Sequence, residues 1–229
     1  MKIVLVLILP IFIFANSLIN LPYMGVQVTH TKLDGSKIQV LVQRENPKPC
    51  IDLPLTPEII WSESYASSNT PNECKKIFVT TKGIIQPIIF NDTIKTVGEL
   101  EVLDFIKNKI NINPSKYALI DSRPSSWYQY FTIPSSINVP YNEMEKDELF
   151  EKEYYANLEK LGIKELSDGT FDLKNAKTII LFCNGAWCSQ SNRAMNILIE
   201  LGYPQEKIMW YRGGIQSWLS VNLTIVSNQ

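Results

Sequence analysis

The chain has 229 residues, enough for one large domain or two small ones. Hydrophobic residues make up 45% and charged residues 20%, a composition typical of globular proteins that argues against a disordered or fibrous chain. The 22 basic residues nearly balance the 23 acidic ones, and no dense basic run occurs, so we expect no nucleic-acid partner and no broad contact with anionic lipid. With a single histidine, His30, and four cysteines, the sequence predicts neither a metal site nor a cofactor.

The amino terminus has the three-part form of a secretory signal peptide. Met1-Lys2 is a short basic region, an apolar run extends from Ile3 to Phe14, and small residues stand at Ala15 and Ser17. The run is shorter than the roughly 20 residues that a membrane-spanning helix needs, so we expect cleavage after Ser17 and no stable membrane span afterwards. Residues 1–17 are therefore interpreted as a signal peptide; the alternative is an uncleaved segment that anchors the chain to the membrane.

Residues 18–95 are predicted to form a small β-rich region of unknown role. Residues 37–43 alternate with period two, as in a half-buried strand. Two further strands are predicted at 77–81 and 84–90, joined by a turn at Lys82-Gly83. No catalytic motif is evident in this region.

Cys50 and Cys74 bracket a proline-rich stretch of the β-rich region. In an oxidising compartment we expect a disulfide between them, worth roughly 3–4 kcal/mol of stability in the chain-entropy picture. Two buried free thiols are the alternative.

From Thr96 onward, strand and helix patterns alternate, which predicts an α/β fold with a parallel sheet covered by helices on both faces. Thr96 and Glu99 have the spacing of a capping box, which predicts a helix running to about Lys109. Further strands are predicted at 117–121, 133–140, 178–182 and 208–211, and further helical stretches near 124–130, within 142–164, from about 189 to 201 and up to 218.

The chemistry is predicted to lie between the apolar strand 178–182 and the helix that follows it. The connecting segment reads Cys183-Asn184-Gly185-Ala186-Trp187-Cys188-Ser189. Ligands bind outside the carboxyl ends of parallel strands, and a loop that opens a helix directs backbone N–H groups inward, so we expect an anion site beside Cys183. The positive end of the helix dipole is expected to lower the pKa of Cys183 and make its thiolate a nucleophile. Gly185 is expected to give the loop a backbone conformation that a side chain would hinder. The alternative is a structural cysteine that ends a core strand.

Four motifs in this order resemble the rhodanese-like family. The family's landmarks are an Asp-x-Arg, a Gly-His-Ile-Pro-Gly-Ala-x-Asn-Ile-Pro stretch, a cysteine that opens a six-residue loop, and a Gly-Gly-x-x-x-Trp. The matching residues here are Asp121-x-Arg123, 132–140, the loop that begins at Cys183, and Gly213-Gly214 with Trp218.

The resemblance covers residues 96–229. It implies an α/β rhodanese-like domain whose central parallel five-stranded sheet is flanked by helices, preceded by the small β-rich N-terminal region. It also implies a sulfurtransferase in which Cys183 is the catalytic nucleophile, takes sulfane sulfur as a persulfide and passes it to a thiophilic acceptor. Together with the signal peptide, it favours a periplasmic enzyme.

The resemblance also implies roles for the other matching residues. Asn184, Gly185, Ala186, Trp187, Cys188 and Ser189 match the loop that binds the persulfide and the donor, and Asp121 and Arg123 match a supporting ion pair near the loop. The implied partners are a small sulfur-containing anion and a protein thiol or low-molecular-weight thiol.

Three departures from the family pattern matter for function. Thr132 stands where histidine is common, and Trp187 places a bulky ring on the loop as packing, a lid or a partner contact. Cys188 occupies the loop position where thiosulfate-using members tend to carry a cationic or hydroxyl residue, which weakens the case for thiosulfate as donor.

Two other functions stay open at this point. Cys183 and Cys188 could cycle between dithiol and disulfide in a redox protein, although their spacing is not that of a thioredoxin-type motif. The domain could instead be a non-catalytic binding module that uses its pocket or its N-terminal region.

Overall fold

The computed structural model describes residues 21–22, 24–45, 48–50, 71 and 84–228. The predicted signal peptide and the predicted strand 77–81 lie outside the described residues. The predicted Cys50–Cys74 disulfide also lies outside them, since neither cysteine side chain is described. Within the described ranges, no helix is both long enough and apolar enough to cross a bilayer.

Strands and helices alternate along most of the described chain. In chain order the strands are β1 (Val26–Thr31), β2 (Lys37–Val42), β3 (Lys95–Thr96), β4 (Tyr117–Asp121), β5 (Ser136–Asn138), β6 (Lys164–Glu165), β7 (Phe171–Asp172), β8 (Thr178–Phe182) and β9 (Ile208–Tyr211). The α-helices are α1 (Glu99–Phe105), α2 (Ser125–Tyr130), α3 (Glu151–Leu161), α4 (Gln190–Glu200) and α5 (Gly214–Ser220), and a π-helical turn at Ile106–Ile110 extends α1.

A parallel five-stranded sheet with the order β3-β9-β8-β4-β5 forms the centre of the α/β fold, which confirms the predicted fold class. Because β8 lies in the middle, both of its faces are buried, which explains its unbroken apolar sequence. Ile180 and Phe182 pack with α1 and α5 on one face, whereas Ile179 and Leu181 pack with α3 and α4 on the other. The parallel strands end at the same edge of the sheet, and Cys183 directly follows β8 at that edge.

The N-terminal region contributes an antiparallel hairpin, β1–β2, which confirms the strand predicted at 37–43. Inward-facing Val26, Val28 and Val42 belong to the same hydrophobic cluster as α1 and α5. The hairpin therefore packs on the sheet domain and shares one of its two cores.

His30 on β1 fastens the hairpin to two distant parts of the chain. The side chain is fully buried, its Nε2 lies 2.7 Å from Asn228 Oδ1, and its Nδ1 accepts a hydrogen bond from the Ser135 N–H at 3.2 Å. Because Nδ1 is an acceptor, the hydrogen is on Nε2 and is donated to Asn228. The hairpin is thus held by a neutral imidazole.

The strand predicted at 84–90 is wrong. This segment forms no ladder, and Ile84, Ile85, Ile88 and Ile89 are all largely exposed. Its backbone hydrogen bonds go elsewhere: the Gln86 N–H donates to the Ala186 carbonyl at 2.8 Å, and Pro87 has no N–H to give to a ladder. The apolar residues alone could not reveal that the backbone of this segment bonds to a distant part of the chain.

The capping box predicted at Thr96 and Glu99 is also wrong. Thr96 lies in β3, and the N-cap of α1 is Gly98, whose N–H donates to the Glu101 carboxylate at 3.0 Å. The hydrogen-bonding pattern is therefore displaced by two residues, although the helical stretch ends close to the predicted Lys109.

Candidate active site

The loop from Cys183 to Cys188 joins the end of β8 to the start of α4, with Ser189 as the N-cap residue. A turn closes the loop, because the Cys188 N–H donates to the Gly185 carbonyl at 2.9 Å. Cys183 and Cys188 are only 2% and 5% exposed. Both thiols are therefore held inside the loop at the carboxyl edge of the sheet.

Helix α5 holds the loop backbone in place. The Ile215 N–H donates to the Cys183 carbonyl at 3.0 Å, and the Gln216 N–H donates to the Asn184 carbonyl at 2.8 Å. Gly214 permits this approach: its φ is +54°, and a Cβ at this position would lie 2.2 Å from the Cys183 carbonyl oxygen. The Gly-Gly landmark thus brings the start of α5 against the loop.

Ser191, on the first turn of α4, contacts the sulfur of Cys183. Its Oγ lies 3.4 Å from Cys183 Sγ and accepts a hydrogen bond from Trp210 Nε1 at 3.0 Å. Because the indole can only donate, the Ser191 hydroxyl hydrogen is available to the sulfur. Sequence reasoning missed both residues; the signal for Ser191 is a hydroxyl in the first helical turn after a loop that begins with cysteine.

The expected lowering of the Cys183 pKa is wrong. Burial raises the pKa of Cys183, and so does its hydrogen bond to Cys188, whose carbonyl oxygen accepts from the thiol at 3.3 Å. The lowered pKa belongs to Cys188: the hydrogen bond from Cys183, with the N–H groups of Gln190 and Asn184, lowers it to about 7 in spite of burial. The loop therefore stabilises a negative charge first on Cys188.

Trp187 and Gly185 form the outer side of the loop with a residue of α5. Trp187 Nε1 donates to Gln216 Oε1 at 2.7 Å, so the half-buried indole is fixed against α5. A Cβ on Gly185 would lie 2.9 Å from Gln216 Oε1 and 3.0 Å from Trp187 Nε1. Glycine is needed there for close packing and not for a left-handed conformation.

Asp121 and Arg123 form a fully buried ion pair, with Nη2 and Oδ2 2.7 Å apart. The Thr132 hydroxyl donates to the same carboxylate oxygen at 2.7 Å, and Arg123 Nη2 donates to the Phe131 carbonyl at 2.5 Å. The pair therefore joins the end of β4 to the stretch that leads into β5. Arg123 also contributes to the lowered pKa of Cys188, as a cation near the loop.

Segment 84–90 lies against the other side of the loop. Arg212, which follows β9, donates to the carbonyls of Gln86 and Pro87, with Nε 3.0 Å from each oxygen. Together with the bond from Gln86 to Ala186, this fixes the segment beside the loop. Sequence reasoning did not connect this segment with the loop.

A family model described as the rhodanese-like domain matches residues 104–221, more than half of the chain. The chain belongs to the rhodanese-like family. The match confirms the predicted family and contains the whole loop. No curated protein sequence matches the chain.

Solved structures similar to this rhodanese-like chain share little sequence with it. The BH2092 protein from Bacillus halodurans is 18% identical; the match covers 58% of this chain and 77% of that one, with a TM-score of 0.41. A rhodanese with anions from E. coli is 20% identical; the match covers 48% of this chain and 98% of that one, with a TM-score of 0.31. The As-Sb reductase from Leishmania major is 18% identical; the match covers 58% of this chain and 92% of that one, with a TM-score of 0.37.

Proposed function

We propose that this protein is an exported sulfurtransferase that carries sulfane sulfur as a persulfide on Cys183 and passes it to a thiol acceptor. The observation that carries the proposal is the placement of Cys183: its sulfur lies at the carboxyl edge of a rhodanese-like sheet, 3.4 Å from the Ser191 hydroxyl and inside the closed loop. A buried hydrogen-bond donor in this position stabilises the negative charge of a thiolate or persulfide.

The proposed transfer has two steps. The Cys183 thiolate attacks the terminal sulfur of a donor, a sulfur–sulfur bond forms at Cys183, and the rest of the donor leaves as a thiolate, as sulfite, or, from a hydropolysulfide, as hydrosulfide or a shorter hydropolysulfide. The proton of Cys183 passes to Cys188, to which it is hydrogen-bonded. An acceptor thiolate then attacks the outer sulfur and releases the Cys183 thiolate.

The charge of the loop favours some donors over others. It contains no Lys or Arg between Cys183 and Ser189, and the guanidinium of Arg123 is already paired with Asp121. We therefore expect a hydropolysulfide or a persulfidated thiol to load the protein faster than the thiosulfate dianion.

The test is intact-protein mass spectrometry of the reduced protein after incubation with polysulfide and, separately, with thiosulfate. The expected result is one added sulfur that maps to Cys183, is removed by cyanide, is absent from Cys183→Ser, and forms more slowly in Cys188→Ser, which keeps the nucleophile but lacks the proton acceptor. If no donor adds sulfur at Cys183 in either the wild type or Cys188→Ser, the sulfurtransferase proposal fails.

A second candidate function is thiol–disulfide exchange, favoured by the burial of both thiols in one loop, where Cys183 Sγ lies 3.3 Å from the Cys188 carbonyl oxygen. In that case mild oxidation would join Cys183 to Cys188 without any uptake of sulfur, and Cys188→Ser would abolish function in the cell. If function survives Cys183→Ser, the domain is a binding module.

Export to the periplasm is part of the proposal and rests on the amino-terminal pattern of residues 1–17. Cell fractionation with amino-terminal sequencing tests it: we expect a soluble periplasmic chain that begins at Leu18. Recovery of the full-length chain in the membrane fraction would favour the anchored alternative.

A further inference from the structure

A second cysteine, Cys188, is buried in the same closed loop as the proposed persulfide. The turn between Gly185 and Cys188 folds the loop back on itself and brings the Cys188 carbonyl to 3.3 Å from Cys183 Sγ. Both side chains are buried in the same loop. A thiol already held there reacts at a far higher effective concentration than a thiol that must diffuse in.

We propose that Cys188 is a resolving thiol, which displaces hydrosulfide from the Cys183 persulfide and forms a Cys183–Cys188 disulfide. This inference rests on the proposed function, because it requires a persulfide on Cys183. It adds a second activity, in which the protein releases the carried sulfur as hydrosulfide instead of delivering it to an acceptor.

The step is balanced in atoms and electrons. Cys188 first passes the proton that it took up from Cys183 to the outer sulfur of the persulfide. The Cys188 thiolate then attacks the inner sulfur, which is the Cys183 Sγ; the Cys183–Cys188 bond forms, the bond to the outer sulfur breaks, and the outer sulfur leaves with that proton and the electron pair as hydrosulfide. The outer sulfur is reduced and the two cysteines are oxidised. An external dithiol is then required to return the disulfide to two thiols.

The surroundings of the two sulfurs suit these roles. The N–H groups of Gln190 and Asn184 stabilise a thiolate on Cys188, and Arg123 contributes a nearby positive charge. Attack on the inner sulfur is favoured because the hydrogen bond between Cys183 Sγ and the Cys188 carbonyl already holds Cys188 beside that sulfur. Attack on the outer sulfur would move the persulfide to Cys188 and release no hydrosulfide.

The experiment follows the fate of the loaded sulfur in the full chain. Reduced protein is loaded with polysulfide, freed of excess donor, and incubated without added thiol, while released hydrosulfide and loop peptides are measured. We expect the wild type to release up to one equivalent of hydrosulfide and to gain a Cys183–Cys188 disulfide. Cys188→Ser and Cys188→Ala should keep the added sulfur on Cys183 at least about tenfold longer.

The controls separate this inference from the sulfurtransferase proposal. Cys183→Ser reports any sulfur bound or released by the three cysteines that it retains, Cys50, Cys74 and Cys188. If both Cys188 variants load but release hydrosulfide as fast as the wild type, or if the added sulfur maps to Cys188, the resolving role is overturned while sulfur transfer stands. If no variant that retains Cys183 loads sulfur, both proposals fail. Serine and alanine differ in polarity. If one of the two Cys188 variants does not fold, the other can therefore still decide the test.

Discussion

Ser135 adopts a left-handed backbone conformation, with a φ of 73°, at the position where the family pattern has glycine. A side chain in this conformation costs roughly 1 kcal/mol, which glycine avoids. The Ser135 N–H that binds His30 would be kept in a glycine variant.

We therefore expect Ser135→Gly to raise the free energy of unfolding by about 0.5–1 kcal/mol, measured by urea denaturation. The neighbouring Ser136→Gly is the matched control. It removes a hydroxyl that lies 2.8 Å from Thr132 Oγ1, so it should lower stability. A loss of stability in Ser135→Gly would contradict the prediction.

At neutral pH the loop should already carry a thiolate. Because the pKa of Cys188 is lowered to about 7, the first ionisation of the thiol pair is expected near pH 7. Thiolate absorbance in the ultraviolet, measured against pH, should show a step there that disappears in Cys188→Ser.

The remaining Cys183 is buried, so its own ionisation in the Cys188→Ser variant should lie above the usual thiol range. A step near pH 7 that persists in this variant would assign the acidic thiol to another cysteine.

At the scale of elements, the position of the loop depends on helix α5. A Cβ at Gly214 would collide with the Cys183 carbonyl, which belongs to the backbone and cannot rotate away. Gly214→Ala should therefore displace α5 or the loop, lower stability by about 2 kcal/mol and slow sulfur loading of Cys183.

Gly98→Ala is the control for this substitution. A Cβ at Gly98 meets only the end of the Glu101 side chain, at 3.2 Å, and the φ of −108° suits any residue. Stability and loading should change little. If Gly214→Ala and Gly98→Ala changed stability and loading equally, the close approach of α5 to the loop would not be the cause of the effect at Gly214.

Hydrogen bonds from Arg212 explain why segment 84–90, which has no regular secondary structure, stays beside the loop. Arg212 donates to two carbonyls of segment 84–90, which has no ladder of its own. In Arg212→Gln we expect faster hydrogen–deuterium exchange at the Gln86 amide, because its bond to Ala186 loses this support.

Arg193→Gln is the matched arginine control. Arg193 Nη2 lies 3.4 Å from Glu145 Oε1, and both side chains are exposed. Such surface ion pairs contribute little to stability. Exchange at Gln86 should be unaffected. Unchanged exchange in Arg212→Gln as well would show that the segment is held by other contacts.

At the scale of the whole molecule, the hairpin and the sheet domain are joined through His30. Burial lowers the pKa of His30, with Lys32 adding to the effect and the bond to Asn228 opposing it. As the pH falls below about 6.5, the unfolded chain takes up the proton first, so the free energy of unfolding should decrease in that window.

His30→Gln tests this contribution. The variant should be less stable than the wild type at pH 7.5, and its stability should fall less between pH 7 and pH 5.5, because the titrating ring is absent. Comparing the two proteins in urea unfolding cancels the carboxylates, which titrate in both. An equal pH dependence would remove His30 as the cause.

Most of the sheet domain could be predicted from the sequence because its pattern is local. The apolar runs of β4, β8 and β9 reflect burial on both faces, and the loop after β8 follows from the parallel topology. The roles predicted for the loop residues and the domain boundary at 95–96 stay predictions.

The features that could not be predicted from the sequence depend on contacts between residues that are far apart in the chain. Segment 84–90 has the apolar residues of a strand, but its backbone is engaged by Arg212 and the loop, more than 90 positions further along the chain. The pKa of Cys183 depends on burial and on Cys188, which outweigh the helix dipole that was expected to lower it. The role of Ser191 follows only from its distance to the sulfur.

The buried imidazole has a practical consequence. His30 is the only histidine in the sequence, so a proton NMR spectrum contains one set of imidazole ring signals per molecule. Because both ring nitrogens are bonded across the junction between the hairpin and the sheet domain, the chemical shifts of that ring report whether the hairpin is docked. If the loop takes up sulfur as proposed, the same signals show whether loading affects this junction, without any added label.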